Sequence, residues 1–125
     1  MNKKEINTEK SPAAIGPYSQ GINTGNMIFT SGQIPFNESG ELVSKDIQDQ
    51  ARKSLENIKN ILEEEGTEMN NIVKCTVFLN DIDNFDQVNE VYKEFFEAPF
   101  PARSCVEVSR LPRDVKVEIE AIALL

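Results

Sequence analysis

The chain contains no histidine. That removes the one side chain whose ordinary pKa puts proton exchange at neutral pH. It also excludes a cysteine nucleophile activated by a neighbouring imidazole. Cysteine itself is scarce: Cys75 and Cys105 stand alone and form no Cys-x-x-Cys pair. Two thiols without imidazole are poor material for zinc or iron, so carboxylates are the only candidate ligands and no metal site is expected. At 125 residues the chain can bury a core without a disulfide, and two unpaired cysteines then suit a reducing, cytoplasmic setting. Positive charge is also short. Thirteen Lys and Arg against 21 Asp and Glu give a formal charge of −8, which argues against a nucleic-acid partner, because phosphate backbones are bound by basic clusters. No apolar run approaches the roughly 18 residues of a membrane span. The opening "MNKKEINTEKSP" has no apolar segment behind its lysines, so it does not read as a secretory signal.

What is present reads as one folded domain over residues 1–125. Hydrophobic residues at 39% and charged residues at 27% exclude a disordered chain, and there is no repeat, linker or low-complexity segment. Two stretches have helical periodicity. In "SKDIQDQARKSLENIKNILEEEG" the apolar residues Ile47, Ala51, Leu55, Ile58 and Leu62 recur at three and four, with Ser44 or Asp46 as cap and Gly66 as the stop. In "DIDNFDQVNEVYKEFFE" the stripe is Phe85, Val88, Tyr92, Phe95 and Phe96, with Asp81 or Asp83 as cap.

Strand patterns fill the gaps. "SQGINTG" and "NMIFTSGQIP" flank a turn at 23–26, "NIVKCTVFL" lies between the helices, and "ARSCVEV" and "VKVEIEAIALL" close the chain around the loop "SRLPRD". The expected order is ββαβαββ, an α+β fold with a mostly antiparallel sheet and both helices on one face. Alternation puts Arg103, Cys105 and Glu107 on one side of their strand. In the last strand Val117, Ile119, Ala121 and Ala123 form the side for the helices to cover. The other side carries Lys116, Glu118 and Glu120 before turning apolar at Ile122 and Leu124. Half charged and half apolar, it has the makings of a subunit interface with a pocket at its rim.

Several residues are candidates for chemistry, each with a plainer alternative. The planar fork of Arg103 suits a carboxylate or phosphate; the alternative is an internal ion pair with Glu107 or Glu118. Glu118, expected near Arg103 on the neighbouring strand, can aim or deprotonate a water, or can be a solvated strand residue. Contact with Arg103 would keep it ionised and lower its basicity. Cys105 packs most simply as a small hydrophobe. Asn89 lies on the flank of the second helix's apolar stripe, where an amide needs a partner, protein or ligand, unless it is half exposed. "IGPYSQG" and "TSGQIP" bring a tyrosine, two serines and glycines whose backbone can approach a ligand, although turns use the same residues.

Taken together, "AAIGPYSQGI", "GNMIFTSGQIP", "QARKSLENIKNIL", "VKCTVFLNDIDNFDQVNEVYKEFF" and "FPARSCVEVSRLPRDVKVEIEAIA" resemble the Rid family of reactive-intermediate imine deaminases, also called the YjgF family, in its archetypal deaminase subgroup. The likeness runs nearly end to end, and the last block carries the family's signature order of Pro, Ala, Arg, Ser, Cys and later Glu. It implies a chorismate-mutase-like fold, a homotrimer with sites between subunits, and no cofactor. It also implies hydrolysis of 2-iminobutanoate and 2-iminopropanoate to 2-oxo acids and ammonia, a form of metabolite damage control. The imines would come from enamines released by pyridoxal-phosphate dehydratases. Carried over position by position, Arg103 grips the substrate carboxylate, Glu118 holds the attacking water and Cys105 stands near the imine nitrogen. Tyr18 lines the cleft, Asn89 is the helix-two asparagine of the site, and Ser31 and Gly32 supply the facing wall. One departure stands out: "EAPFPARS" is a few residues shorter than in several members, which bears on the pocket wall and side-chain preference. Two other functions compete with this one. An endoribonuclease or translation inhibitor sits badly with the charge and the missing histidine. A non-catalytic module binding a small carboxylate would need Arg103 but not Glu118.

Overall fold

The computed structural model describes residues 3–125; Met1 and Asn2, at the head of "MNKKEINTEKSP", lie outside the described residues. Six strands form one sheet: β1 (Lys4–Ile6), β2 (Gly21–Asn23), β3 (Met27–Thr30), β4 (Ile72–Leu79), β5 (Ala102–Glu107) and β6 (Val117–Leu124). Two helices, α1 (Ile47–Glu64) and α2 (Phe85–Phe95), follow β3 and β4. The spatial order is β1-β2-β3-β6-β4-β5. Every neighbouring pair is antiparallel except β4 and β5, whose parallel pairing needs the crossover that α2 provides.

This is the α+β, mostly antiparallel arrangement expected, with one strand more. β1 escapes sequence reading because "KEI" has a single inward residue, Ile6, too little for a period to register. It lies at the sheet edge, held by ladder bonds to β2. The strands carrying Arg103 and Glu118 were expected to be neighbours. In the fold, β4 runs between them.

α1 begins where expected. Asp46 accepts from the Asp49 amide at 3.0 Å, and Ser44 reinforces it by accepting from the Asp46 amide at 3.0 Å. The helix ends before Gly66, whose φ of +78° is the left-handed stop that a side chain disfavours. Its inward stripe, Ile47, Ala51, Leu55, Ile58, Ile61 and Leu62, is buried against the sheet. Each fully buried Leu or Ile there contributes roughly 1.5–3 kcal/mol. α2 departs from expectation at its start. Asp81 caps a short 3-10 turn over Ile82–Asn84, and the α-helix proper opens at Phe85 without a side-chain cap. Val88, Val91 and Tyr92 join the same core, while Phe85 is only half buried.

The core lies between the helices and one sheet face, where Cys75, Val77, Leu79, Val117, Ile119, Ala121 and Ala123 point inward. The opposite face has no layer over it. Phe29, Val106 and Leu124 are 42%, 43% and 48% exposed there, beside Lys74, Thr76, Phe78, Glu118 and Glu120. No helix of the structure is long and apolar enough to cross a membrane.

Buried amides fix the loops that frame this fold. Gln20 accepts from the Thr8 amide at 2.7 Å and donates to the carbonyls of Thr8 and Pro12 at 3.0 and 2.8 Å, tying down the N-terminal segment. Asn57 of α1 donates to the carbonyls of Ile34 and Phe36 at 3.1 and 2.9 Å, anchoring the chain that leaves β3. Removing that amide strands two carbonyls in a dry interior. Asn57→Ala is therefore expected to cost about 2–3 kcal/mol, read as a lower urea midpoint at unchanged slope.

Candidate functional site

Arg103 leaves β5 on the helix-facing side, in register with Cys75 of β4. Its Nη1 donates to Asn89 Oδ1 at 2.7 Å. Its guanidinium carbon lies 5.3 Å from the centroid of the Phe85 ring and 4.8 Å from that of Tyr92. Among the described residues, no carboxylate comes within ion-pairing distance of it. The internal ion pair that competed as a reading of Arg103 is therefore not formed. A guanidinium has five donors, and most of these remain free toward a cavity of about 700 Å³ lined by Asn89, Tyr92, Phe100 and Pro101, with Asp86, Glu90 and Lys93 also in its wall.

Cys105 is two residues further along the same side, half buried against the core. Burial pushes its thiol up, and the nearby Arg103 opposes this only in part. It is therefore held as a neutral thiol, a weak proton donor rather than a thiolate nucleophile. Cys75 is a core residue, as its alternation indicates, with its thiol pushed up to about 11 by burial.

Tyr18, Ser31 and Gly32 gather elsewhere. Tyr18 and Gly32 line a second cavity of about 480 Å³, with Ile15, Phe36 and Arg113. The Ser31 hydroxyl donates to the Ser19 carbonyl at 2.6 Å, so its side chain is engaged in holding the Tyr18 loop. Gly32 leans on Glu118: a methyl group at position 32 would sit 2.8 Å from Glu118 Cδ. Only glycine leaves room for the carboxyl where it stands.

The expected contact between Arg103 and Glu118 within one chain is absent. Glu118 pairs with Phe78 and points to the uncovered face, while Arg103 pairs with Cys75 and points to the helices. With β4 between them and their side chains on opposite faces, they cannot meet. The Glu118 carboxyl is accordingly raised above the ordinary glutamate range, first by burial and then by Glu120, with no arginine holding it down. Its basicity is increased rather than lowered.

Comparison with known proteins identifies the family. The family model described as Endoribonuclease L-PSP matches residues 8–125. The chain belongs to this family, that of the Rid and YjgF proteins. It is 57% identical over 124 residues to the 2-iminobutanoate/2-iminopropanoate deaminase of Escherichia coli strain K12, covering 97% of each chain. It is 56% identical over 124 residues to a RutC family protein of Pyrococcus abyssi, covering 98% of each. Among solved structures, that of E. coli TdcF with bound serine superimposes with a TM-score of 0.94 at 54% identity, covering 98% of this chain and 99% of that one.

On this Rid-family chain the sequence candidates divide into two groups. Arg103, Asn89 and Cys105 share one region; Tyr18, Ser31, Gly32 and Glu118 share another. Sequence reading assigns Phe85 and Tyr92 only to the core stripe and so misses them as the aromatic partners of Arg103. The available signal was their spacing about Asn89, which puts all three on one face of α2. It also passed over Phe100, which is 55% exposed beside the first cavity.

The raised Glu118 carboxyl has a consequence for stability. Because the folded state binds this proton more tightly than the unfolded chain, the group's favourable contribution is full below the ordinary carboxylate range. It is lost as pH rises through the elevated folded value. At neutral pH the ionised group is therefore a net cost. Glu118→Gln is expected to melt above wild type at pH 7, with the difference shrinking as pH falls through the acid range, followed by circular dichroism.

Proposed function

We propose that this protein hydrolyses 2-imino acids such as 2-iminobutanoate and 2-iminopropanoate to 2-oxo acids and ammonia, at sites shared between neighbouring copies of a cytoplasmic homotrimer. The observation that carries the reading is the unneutralised Arg103 fork, held by an amide and two rings and open to a cavity whose two acids, Asp86 and Glu90, form no ion pair with it. A small carboxylate is the natural complement. The deaminase named for these substrates in E. coli and the serine bound by E. coli TdcF support this class of ligand.

In the proposed reaction Arg103 grips the carboxylate and fixes the adjacent C=N carbon. Glu118 of a neighbouring copy orients a water and accepts its proton as the O–C bond forms. The tetrahedral carbinolamine then collapses: Glu118 returns the water proton to the amine nitrogen, and the C–N bond breaks to release ammonia. The hydroxyl gives up its own proton through Glu118 to that ammonia as its O–H pair becomes the C=O bond, leaving 2-oxo acid, ammonium and ionised Glu118. Cys105, as a neutral thiol, stands near the departing nitrogen, with Tyr18, Gly32 and the Ser31 backbone as facing wall and Asn89 as a further contact. A protonated imine is already electrophilic, so positioning supplies most of what is required, and effects of this kind reach several kcal/mol. No histidine or bound cofactor enters the scheme.

The separation supports sharing between copies. The Arg103 group and the Glu118 group face opposite sides of one sheet, so a single chain offers two halves and no whole. The uncovered face, with Phe29, Val106 and Leu124 exposed around polar residues, has the composition of a surface meant to be covered. Two free thiols accord with a reducing compartment. Despite the family's descriptive name, a charge of −8 without histidine supports neither RNA binding nor ribonuclease-type acid–base chemistry. The reactions that supply the substrate would be dehydratases releasing enamines that tautomerise to imines.

The test generates the imine in situ with a threonine dehydratase and times 2-oxobutanoate formation. The protein should accelerate it, and Arg103→Ala and Glu118→Ala should each abolish the acceleration. Co-refolding the two inactive variants in equal amounts should restore roughly a quarter of wild-type activity, because random mixing rebuilds that share of intact sites between cyclic neighbours. No acceleration by the wild type would leave only a carboxylate-binding module. No recovery on mixing would refute a site built from Arg103 of one copy and Glu118 of another.

A second expectation concerns Gly32. In Gly32→Ala the flexible Glu118 carboxyl is the atom group that must yield. The variant should fold normally yet lose about 100-fold in turnover, since a displacement near 1 Å at a reacting group has that effect.

A further inference from the structure

We infer that Phe85 and Tyr92 are positioning residues that hold the Arg103 fork ready for its carboxylate, an inference that rests on the role of Arg103 proposed above. An edge-strand arginine has many rotamers, and among the described residues no acid fixes this one. What fixes it comes from a single face of α2. Phe85, Asn89 and Tyr92 fall at i, i+4 and i+7, and all three touch the guanidinium. Both rings lie within the roughly 6 Å over which an aromatic face attracts a cation.

The choice of rings has a chemical reason. A glutamate could orient the arginine equally well, but it would occupy the fork's in-plane N–H groups and cancel its charge. A π face attracts the cation without consuming an N–H, and the neutral Asn89 amide takes only one. The fork is therefore oriented and still unsatisfied.

Tyr92 shows which part of its side chain matters. Its hydroxyl is buried beside the Cys75 thiol and has no conventional hydrogen-bond partner. Its ring packs against Phe96 at 4.4 Å between centroids and against Arg103 at 4.8 Å. The position uses the ring, not the phenol. Phe85, half buried at the first turn of α2, has little core to fill beyond the arginine itself.

The experiment titrates the full-length protein with 2-oxobutanoate, the reaction product, and runs the coupled dehydratase assay on the same variants. Phe85→Leu and Tyr92→Leu should each weaken product binding and raise KM by about tenfold with a smaller change in kcat. The ring-preserving Phe85→Tyr and Tyr92→Phe should recover most of that loss. Thermal melting separates a core defect from a positioning defect, and if Tyr92→Leu does not fold, Phe85→Leu with Tyr92→Phe decides. Product binding in the leucine variants equal to wild type would overturn the inference, as would equal losses in ring-removing and ring-preserving variants. Arg103→Ala distinguishes the two levels. Retained product binding there refutes the site itself, while lost binding with unaffected leucine variants refutes only the aromatic clamp.

Discussion

An arginine charge held half buried without a neutralising acid is the constraint on which the rest of this structure turns. A desolvated guanidinium normally recruits a carboxylate, and a protein with 21 acidic residues has no shortage of them. Here the compensation comes from a neutral amide and two aromatic faces, each attractive to a cation and none able to cancel it. The arrangement requires α2 to lie over β5. The parallel β4–α2–β5 crossover delivers this, because it brings the helix back across the strand that follows it.

The second constraint is the insertion of β6 between β3 and β4. It makes the last strand central, buries its Val/Ile/Ala side and turns Glu118 and Glu120 to the uncovered face. There the Glu118 carboxyl is partly desolvated and has Glu120 rather than a cation for company, so its affinity for protons rises. Gly32 permits the close packing that keeps it in place. Arg103 and Glu118 are thus kept apart by the thickness of a sheet. A base separated from the arginine retains basicity that an ion pair would suppress, which suits the hydrolysis proposed here.

Much of the fold was legible in sequence because periodicity records burial. The five apolar residues read for α1 are all in the core, and Asp46 and Gly66 mark its ends. The inward side of β6 was equally plain. Elements failed to register where the pattern was too short or where two signals competed. β1 has three residues and one inward contact. At the start of α2, Asp81 caps a 3-10 turn because the chain first has to turn out of β4.

The sequence by itself determined the candidate chemistry: one arginine and one cysteine on the same side of a strand, a glutamate in the last strand, and the absence of any imidazole. Residue type and alternation carry that information locally, and no fold can change it. Which of these groups meet was decided by tertiary structure alone. Strand order is set by long-range pairing, so nothing within "ARSCVEV" or "VKVEIEAIALL" announces that β4 will lie between them. Nor does the stripe of α2 announce that two of its aromatics, Tyr92 from within the core and Phe85 at its margin, also face a charge.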